Sequence, residues 1–192
     1  MPRPKAFDRD DALHKAMDLF WSKGFEATSL QDLVDHMGIG RSSLYDTFGS
    51  KLALWSESMD LYAKQFHSEV LSPLAGPGSP RGLLTDFFGN ICQMWAAGTE
   101  PSCLLVKALV TTGERCEETA AQARACLKEV EELLFRLMQR GIEEGEISVD
   151  KNPRQLAQFF LSSINGLGVS AALDRNHDRL TGISQLALAA LD

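Results

Sequence analysis

The residues best suited to chemistry lie close together between positions 41 and 51, and most are small, polar or basic. Arg41 carries a guanidinium that can donate two hydrogen bonds to the O6 and N7 acceptors of guanine. Tyr45 offers a hydroxyl and Lys51 an ammonium for DNA phosphates, while small hydroxyl side chains let a helix approach closely. This combination predicts a surface that reads base-pair edges. The small side chains are those of Ser42, Ser43 and Thr47.

Two short helices are predicted to position these side chains. Apolar residues recur at helical spacing over 30–37, and Thr28 with Gln31 has the spacing of a capping box at the start of that helix. A turn containing two glycines follows, and Leu44 and Phe48 then mark one buried face of a second helix. Such a pair is typical of a helix-turn-helix, whose second helix enters the DNA major groove.

The remaining chain is also predicted to be helical, which gives an all-α fold of about nine helices. The helix-turn-helix motif covers 29–48 within a three-helix DNA-binding domain over 6–55, and residues 56–192 form a larger helical domain. Residues 155–173 carry no charge, yet polar side chains interrupt them too often for a membrane span, so we expect that helix to be buried against protein. A final helix is predicted over 181–191, after a polar loop.

The overall charge opposes nucleic-acid binding. The chain of 192 residues contains 19 Lys and Arg against 26 Asp and Glu, a net charge of −7. The first 55 residues hold 7 basic and 8 acidic side chains, whereas the remainder holds 12 and 18. Because most of the acidity lies outside the predicted DNA-binding domain, binding must depend on a few well-placed cations rather than on a global field.

The segment from Phe25 to Leu33, together with the segment from Gly38 to Lys51, resembles the N-terminal domain of the TetR/AcrR family of bacterial transcriptional regulators. The resemblance implies a ligand-responsive DNA-binding regulator, most often a repressor that a small molecule releases from its operator. Gly40 departs from the pattern, which often has Ser there, and predicts a weaker helix cap. The resemblance places these residues toward DNA: Thr28, Gln31, Arg41, Ser42, Ser43, Tyr45, Thr47 and Lys51.

The family resemblance also implies an arrangement for the rest of the molecule. Arg3, in a basic N-terminal arm, would enter an adjacent minor groove. The last two long helices would pair in a homodimer that binds a pseudo-palindromic double-stranded operator. A pocket in the middle helices would take a small-molecule effector, expected to be hydrophobic or weakly polar. The candidate pocket residues are Phe66, Phe87, Phe88, Ile91, Met94, Trp95, Leu134, Met138 and Phe160.

Cys103 suggests an alternative kind of sensing. Its predicted place at the start of a helix, with Lys107 one turn later, favours a lowered thiol pKa, and the segment resembles that of electrophile-sensing members of the family. Thiol sensing through Cys103 is therefore a second hypothesis for the regulator. The other three cysteines are scattered, which fits reduced thiols in a cytoplasmic protein.

No motif predicts a catalytic centre, a cofactor or a metal site. The four histidines are far apart, and the chain has no His, Cys and carboxylate cluster with ligand spacing. We therefore expect a protein that is not an enzyme and does not associate with membranes. The alternative from another class is a helical interaction module or an enzyme whose helix-turn-helix no longer binds DNA.

Overall fold

The computed structural model describes residues 7–98, 103–112 and 117–192, without the side chain of residue 112. Over these ranges the chain forms nine α-helices and no β-strand, which confirms the predicted all-α fold. A π-helical turn, His67–Leu71, and a 3-10 turn, Ser72–Ala75, follow α4. The helices are α1 Arg9–Lys23, α2 Leu30–Met37, α3 Arg41–Phe48, α4 Lys51–Phe66, α5 Pro80–Ala97, α6 Leu104–Thr112, α7 Glu117–Glu143, α8 Pro153–Leu173 and α9 His177–Leu188.

The capping box of α2 lies one residue later than predicted. The Ser29 hydroxyl accepts a hydrogen bond from the backbone N–H of Asp32, and the Asp32 carboxylate accepts one from the backbone N–H of Ser29. Thr28 and Gln31 do not form this pair, because Thr28 is buried and bonds elsewhere. Neighbouring Ser and Thr residues make two such boxes equally plausible in sequence, and burial of one hydroxyl decides between them.

Asp32 makes the start of α2 sensitive to acid. Hydrogen bonds from the Ser29 backbone N–H, the Lys23 ammonium and the Ser29 hydroxyl hold the pKa of Asp32 well below its usual value. Because this pKa is lower in the folded state, the carboxylate stabilises the fold above the ordinary carboxyl range. That stabilisation is lost as pH falls toward the folded-state pKa.

We therefore expect Asp32→Asn to lower the Tm near neutral pH and to have progressively less effect in acid. Circular dichroism melts of both proteins from about pH 7 to about pH 3 measure this difference. A difference in Tm that stays constant over the whole range would contradict the assignment.

Two apolar cores organise the molecule. The first joins α1, α2, α3 and the buried face of α4, and it also receives Leu104, Leu105 and Ala108 of α6. The second joins α5, α7, α8 and α9. α6 thus belongs to the core of the helix-turn-helix region although it is far from it in sequence, and we refer to α1 to α3 as the head.

The last helix starts earlier than predicted. α9 begins at His177, and the Asn176 side chain accepts a hydrogen bond from the backbone N–H of Arg179. The prediction that the helix starts at Thr181 was wrong because the first turn of α9 is exposed and polar, so it has no apolar period.

α8 is long and apolar enough to cross a membrane by length and composition, with a mean hydropathy of 1.4. Its buried side packs on α7 and α9, which accounts for much of that apolar character.

Candidate nucleic-acid interface

The turn between α2 and α3 sets the direction of the second helix. α2 ends at Met37 and is capped by Gly38, whose left-handed backbone (φ 69°) reverses the chain at little steric cost. α3 begins at Arg41 after Gly40, which provides no side-chain cap, as the sequence predicts. Leu44 and Phe48 are buried in the first core and fix the rotation of α3. The opposite face of α3 is left toward solvent.

The exposed face of α3 carries the predicted base-reading residues. Arg41 and Ser42 are exposed, Tyr45 is 42% exposed, and Ser43 and Thr47 are half-buried beside them. The Ser42 hydroxyl donates to Asp46 over 3.3 Å, one turn later on the same helix. The five predicted residues of α3 thus occupy its surface outside the buried stripe, with Arg41 and Tyr45 on one side of that stripe and Ser43 and Thr47 on the other.

The residues of α2 are placed differently. Gln31 is exposed, and its amide donates to Asp35 over 2.9 Å, so its side chain is oriented along the helix surface. Thr28 is fully buried and its hydroxyl donates to the carbonyl of Gly24 over 2.7 Å. The prediction that Thr28 faces DNA is therefore wrong for its side chain, because that hydroxyl is used to close the end of α1. Arg3 lies outside the described residues.

Most basic side chains in the N-terminal part of the described chain are already paired. Of the five described before position 56, three form ion pairs, whereas Arg41 has no carboxylate within salt-bridge distance in the described part of the chain. Positive charge available for phosphate or guanine is thus concentrated at the start of α3 and at Lys51. The pairs are Arg9 with Glu57, Lys15 with Asp11, and Lys23 with Asp32.

Lys51 occupies the first turn of α4, just after the C-terminal end of α3. Its ammonium lies 4.4 Å from the centre of the Phe25 ring, a cation–π contact that holds the side chain near the head surface. Partial burial lowers the pKa of Lys51, and Glu26 and Asp32 oppose that shift. Ser50 caps α4, so Lys51 lies beside the N-terminal backbone of that helix, a favourable place for a phosphate.

A narrow apolar cavity separates the two cores. The space open to a molecule the size of water is only about 10 Å³, so an effector larger than water must displace side chains to fit. Phe66, Phe87 and Trp95 were predicted as pocket residues and line it. The sequence did not predict the rest of its lining as pocket residues, because helical periodicity marks a buried side chain without showing whether it faces a void. The other lining residues are Cys103, Leu105, Leu127, Val130, Leu161, Ile164 and Asn165.

The other six candidate pocket residues do not line this cavity. Five of them are buried in the second core, where they pack against neighbouring helices rather than a void. Met94 is 38% exposed at the surface of α5. The buried five are Phe88, Ile91, Leu134, Met138 and Phe160.

The structure does not favour thiol sensing through Cys103. Burial raises the pKa of the Cys103 thiol, against hydrogen bonds from the Tyr62 hydroxyl and two backbone amides that oppose the shift. The Lys107 ammonium, expected to stabilise a thiolate, instead contacts the carbonyls of Trp21 and Ser22. The predicted lowering of the pKa is therefore wrong, because burial raises the pKa of the thiol and the Lys107 ammonium bonds to carbonyls of α1.

A stripe of exposed residues runs along the outside of α8. Phe159, Val169 and Leu173 are 44%, 65% and 77% exposed, and they share one helical face with exposed Ser162 and Gly166. Leu186 of neighbouring α9 is also largely exposed. Apolar side chains flanking small ones in this way are typical of a helical face that packs against another helix.

Comparison with known proteins identifies the class. Residues 12–57 match the model of "Bacterial regulatory proteins, tetR family", and residues 84–186 match "Tetracyclin repressor-like, C-terminal domain". The chain belongs to the TetR family of transcriptional regulators, as its N-terminal motif predicts.

Relatives match over nearly the whole chain. The uncharacterized HTH-type transcriptional regulator YezE of Bacillus subtilis (strain 168) is 29% identical, with both chains covered completely. The HTH-type transcriptional repressor ComR of Escherichia coli (strain K12) is 31% identical over 97% of this chain and 90% of its own. A solved structure of a cysteine mutant of the regulator CifR, complexed with 26bp double-strand operator DNA, has a TM-score of 0.90 and 34% identity, covering 99% of this chain and all of its own.

Proposed function

We propose that this protein is a homodimeric repressor that binds a pseudo-palindromic operator through α3 and releases it when a small apolar effector enters the cavity. The observation that carries the proposal is the exposed surface of α3, where Arg41, which has no ion pair in the described part of the chain, and an exposed Tyr45 flank a buried Leu44 and Phe48. These groups suit guanine and phosphate recognition. Gln31, Ser42, Ser43, Thr47 and Lys51 complete the proposed contact surface, and Arg3 is proposed for the minor groove.

The dimer would form through the exposed stripe of α8 together with α9. Two copies related by twofold symmetry present two heads on one side, which suits an inverted repeat. The proposed domains are 6–55 for DNA binding, with the motif at 29–48, and 56–192 for effector binding and dimerisation. We also propose a cytoplasmic location and no catalytic activity.

Binding to DNA from the region upstream of its own gene tests the proposal. We expect the purified protein to retard this fragment in the presence of an excess of unrelated duplex, with one complex of two protomers. Equal retardation of the unrelated duplex would contradict the proposal that the protein regulates genes by binding a specific operator. It would favour a helical interaction module or an enzyme that has kept the helix-turn-helix only as a structural element.

Salt dependence provides a separate test of Lys51. Each phosphate neutralised by a cation contributes roughly 0.9 to the slope of log K against log salt concentration. Since a dimer carries two copies of Lys51, Lys51→Ala is expected to reduce the slope by about 2 and to weaken all binding sequences equally. Fluorescence anisotropy at several salt concentrations measures both. A Lys51→Ala slope equal to that of wild type would exclude the phosphate contact.

A further inference from the structure

The first turn of α6 lies at the boundary between the head and the cavity. Cys103, directly before the helix, and Leu105 line the cavity. Leu104, Leu105 and Ala108 are also fully or almost fully buried in the core that contains α1 to α3. The same short segment therefore lines the cavity proposed for the effector and packs against the helices of the head.

Lys107 connects this segment to the C-terminal end of α1. Its ammonium donates hydrogen bonds to the carbonyl oxygens of Trp21 over 2.5 Å and of Ser22 over 2.8 Å. Both carbonyls belong to the last turn of α1, at the end of the helix toward which its carbonyl groups point. A cation at this end also interacts favourably with the helix dipole. The contact bridges residues more than 80 positions apart in sequence.

A second contact joins the same two regions through aromatic rings. Phe66, which lines the cavity, stacks on Tyr62 with ring centres 5.9 Å apart and planes 8° apart. Tyr62 in turn packs edge to face with Trp21 in α1, with ring centres 5.1 Å apart. The Tyr62 hydroxyl also forms a hydrogen bond with the Cys103 thiol. Movement of Phe66 or Cys103 would therefore disturb the surroundings of the α1 end that Lys107 holds.

We propose that Lys107 is a positioning residue: by holding the last turn of α1, it fixes the angle of the head relative to the rest of its own chain. The proposal rests on the proposed DNA-binding function. Lys107 need not touch DNA or effector. It restrains the C-terminal end of α1, and thereby the spacing of the two heads in a dimer.

The dependence of affinity on the distance between the two half-sites measures this restraint. The DNA probe is the best inverted repeat that wild-type protein selects from random duplexes, remade with one or two base pairs added between the half-sites. Each added base pair shifts a half-site by about 3.4 Å along the axis, so a rigid dimer loses affinity for the altered probes. A dimer whose heads swing freely binds the original repeat less well but tolerates the altered spacings better.

We expect Lys107→Met to weaken binding to the original repeat by between about 5-fold and 150-fold. We also expect it to reduce the loss of affinity caused by added base pairs, while binding to an isolated half-site stays unchanged. Lys107→Arg, which keeps a cation and donors, should restore most of the spacing preference. Lys128→Met, at an exposed position of α7, is the matched control and should behave as wild type.

Two outcomes are decisive, and a second variant covers the case in which the first does not fold. If Lys107→Met shows the same spacing penalty as wild type, the proposal is overturned. If Lys107→Met fails to fold, Lys107→Ala, which also removes every side-chain donor, is measured in the same assay and the same criterion applies. If wild-type protein enriches no repeat at all, the proposed DNA-binding function fails, an outcome distinguishable from failure of the Lys107 restraint alone.

Discussion

Replacing Arg41 and Tyr45 together by alanine is expected to reduce operator affinity by on the order of 100-fold or more while leaving the fold intact. Each lost base or phosphate contact costs about 1–3 kcal/mol, and the dimer loses every contact twice. Both side chains are exposed on α3 and neither belongs to the first core, so the Tm should change little. Fluorescence anisotropy at fixed salt measures the affinity.

The control for this double variant is Arg136→Ala. Arg136 is an exposed arginine of α7, with a side chain 74% accessible, and it lies outside the head. Its removal changes the net charge by the same amount as removal of Arg41, so it separates a local contact from a general charge effect. Equal losses of affinity in both variants would show that α3 does not read the operator.

Gly166→Arg is expected to convert the dimer into monomers. In the isolated chain, a Cβ added at Gly166 meets nothing within 4 Å, so the fold itself tolerates a larger side chain. If α8 packs against its copy, a long cation must be desolvated in the interface beside its own twofold mate, which disfavours association. Light scattering after size exclusion should give the mass of one chain, and operator affinity should fall by on the order of 100-fold as the second half-site is lost.

Gly89→Arg is the matched control for Gly166→Arg. Gly89 also lies within a helix, α5, and an added Cβ there meets nothing within 4 Å. It makes the same chemical change away from the α8 stripe. A Gly166→Arg protein that remains a dimer with normal affinity would place the interface elsewhere.

Local patterns predicted the head well because its contacts are close in sequence. The apolar period of 30–37, the glycine turn and the Leu44–Phe48 stripe together determine where α2 and α3 begin and which face of α3 is exposed. The prediction that Thr28 caps α2 failed for a different reason. A capping pattern identifies suitable hydroxyls, whereas the burial of one of them depends on contacts with α1. Such burial is a tertiary property that spacing does not encode.

Contacts between distant segments could not be predicted in this way. The sequence places Lys107 one turn after Cys103 and suggests an effect on the thiol, yet the flexible lysine reaches the end of α1 instead. The cavity depends similarly on how α4 to α8 pack, so most of its lining was missed. Periodicity distinguishes buried from exposed faces and leaves open which buried face borders a void.

Selection of random-sequence duplexes by the wild-type protein tests the central claim most directly. We predict enrichment of one inverted repeat, bound by two protomers, with affinity that falls when either half-site is altered and falls further in the Arg41→Ala and Tyr45→Ala double variant. Recovery of sequences without any common motif, or enrichment that the double variant leaves unchanged, would contradict the assignment of α3 as the element that reads DNA.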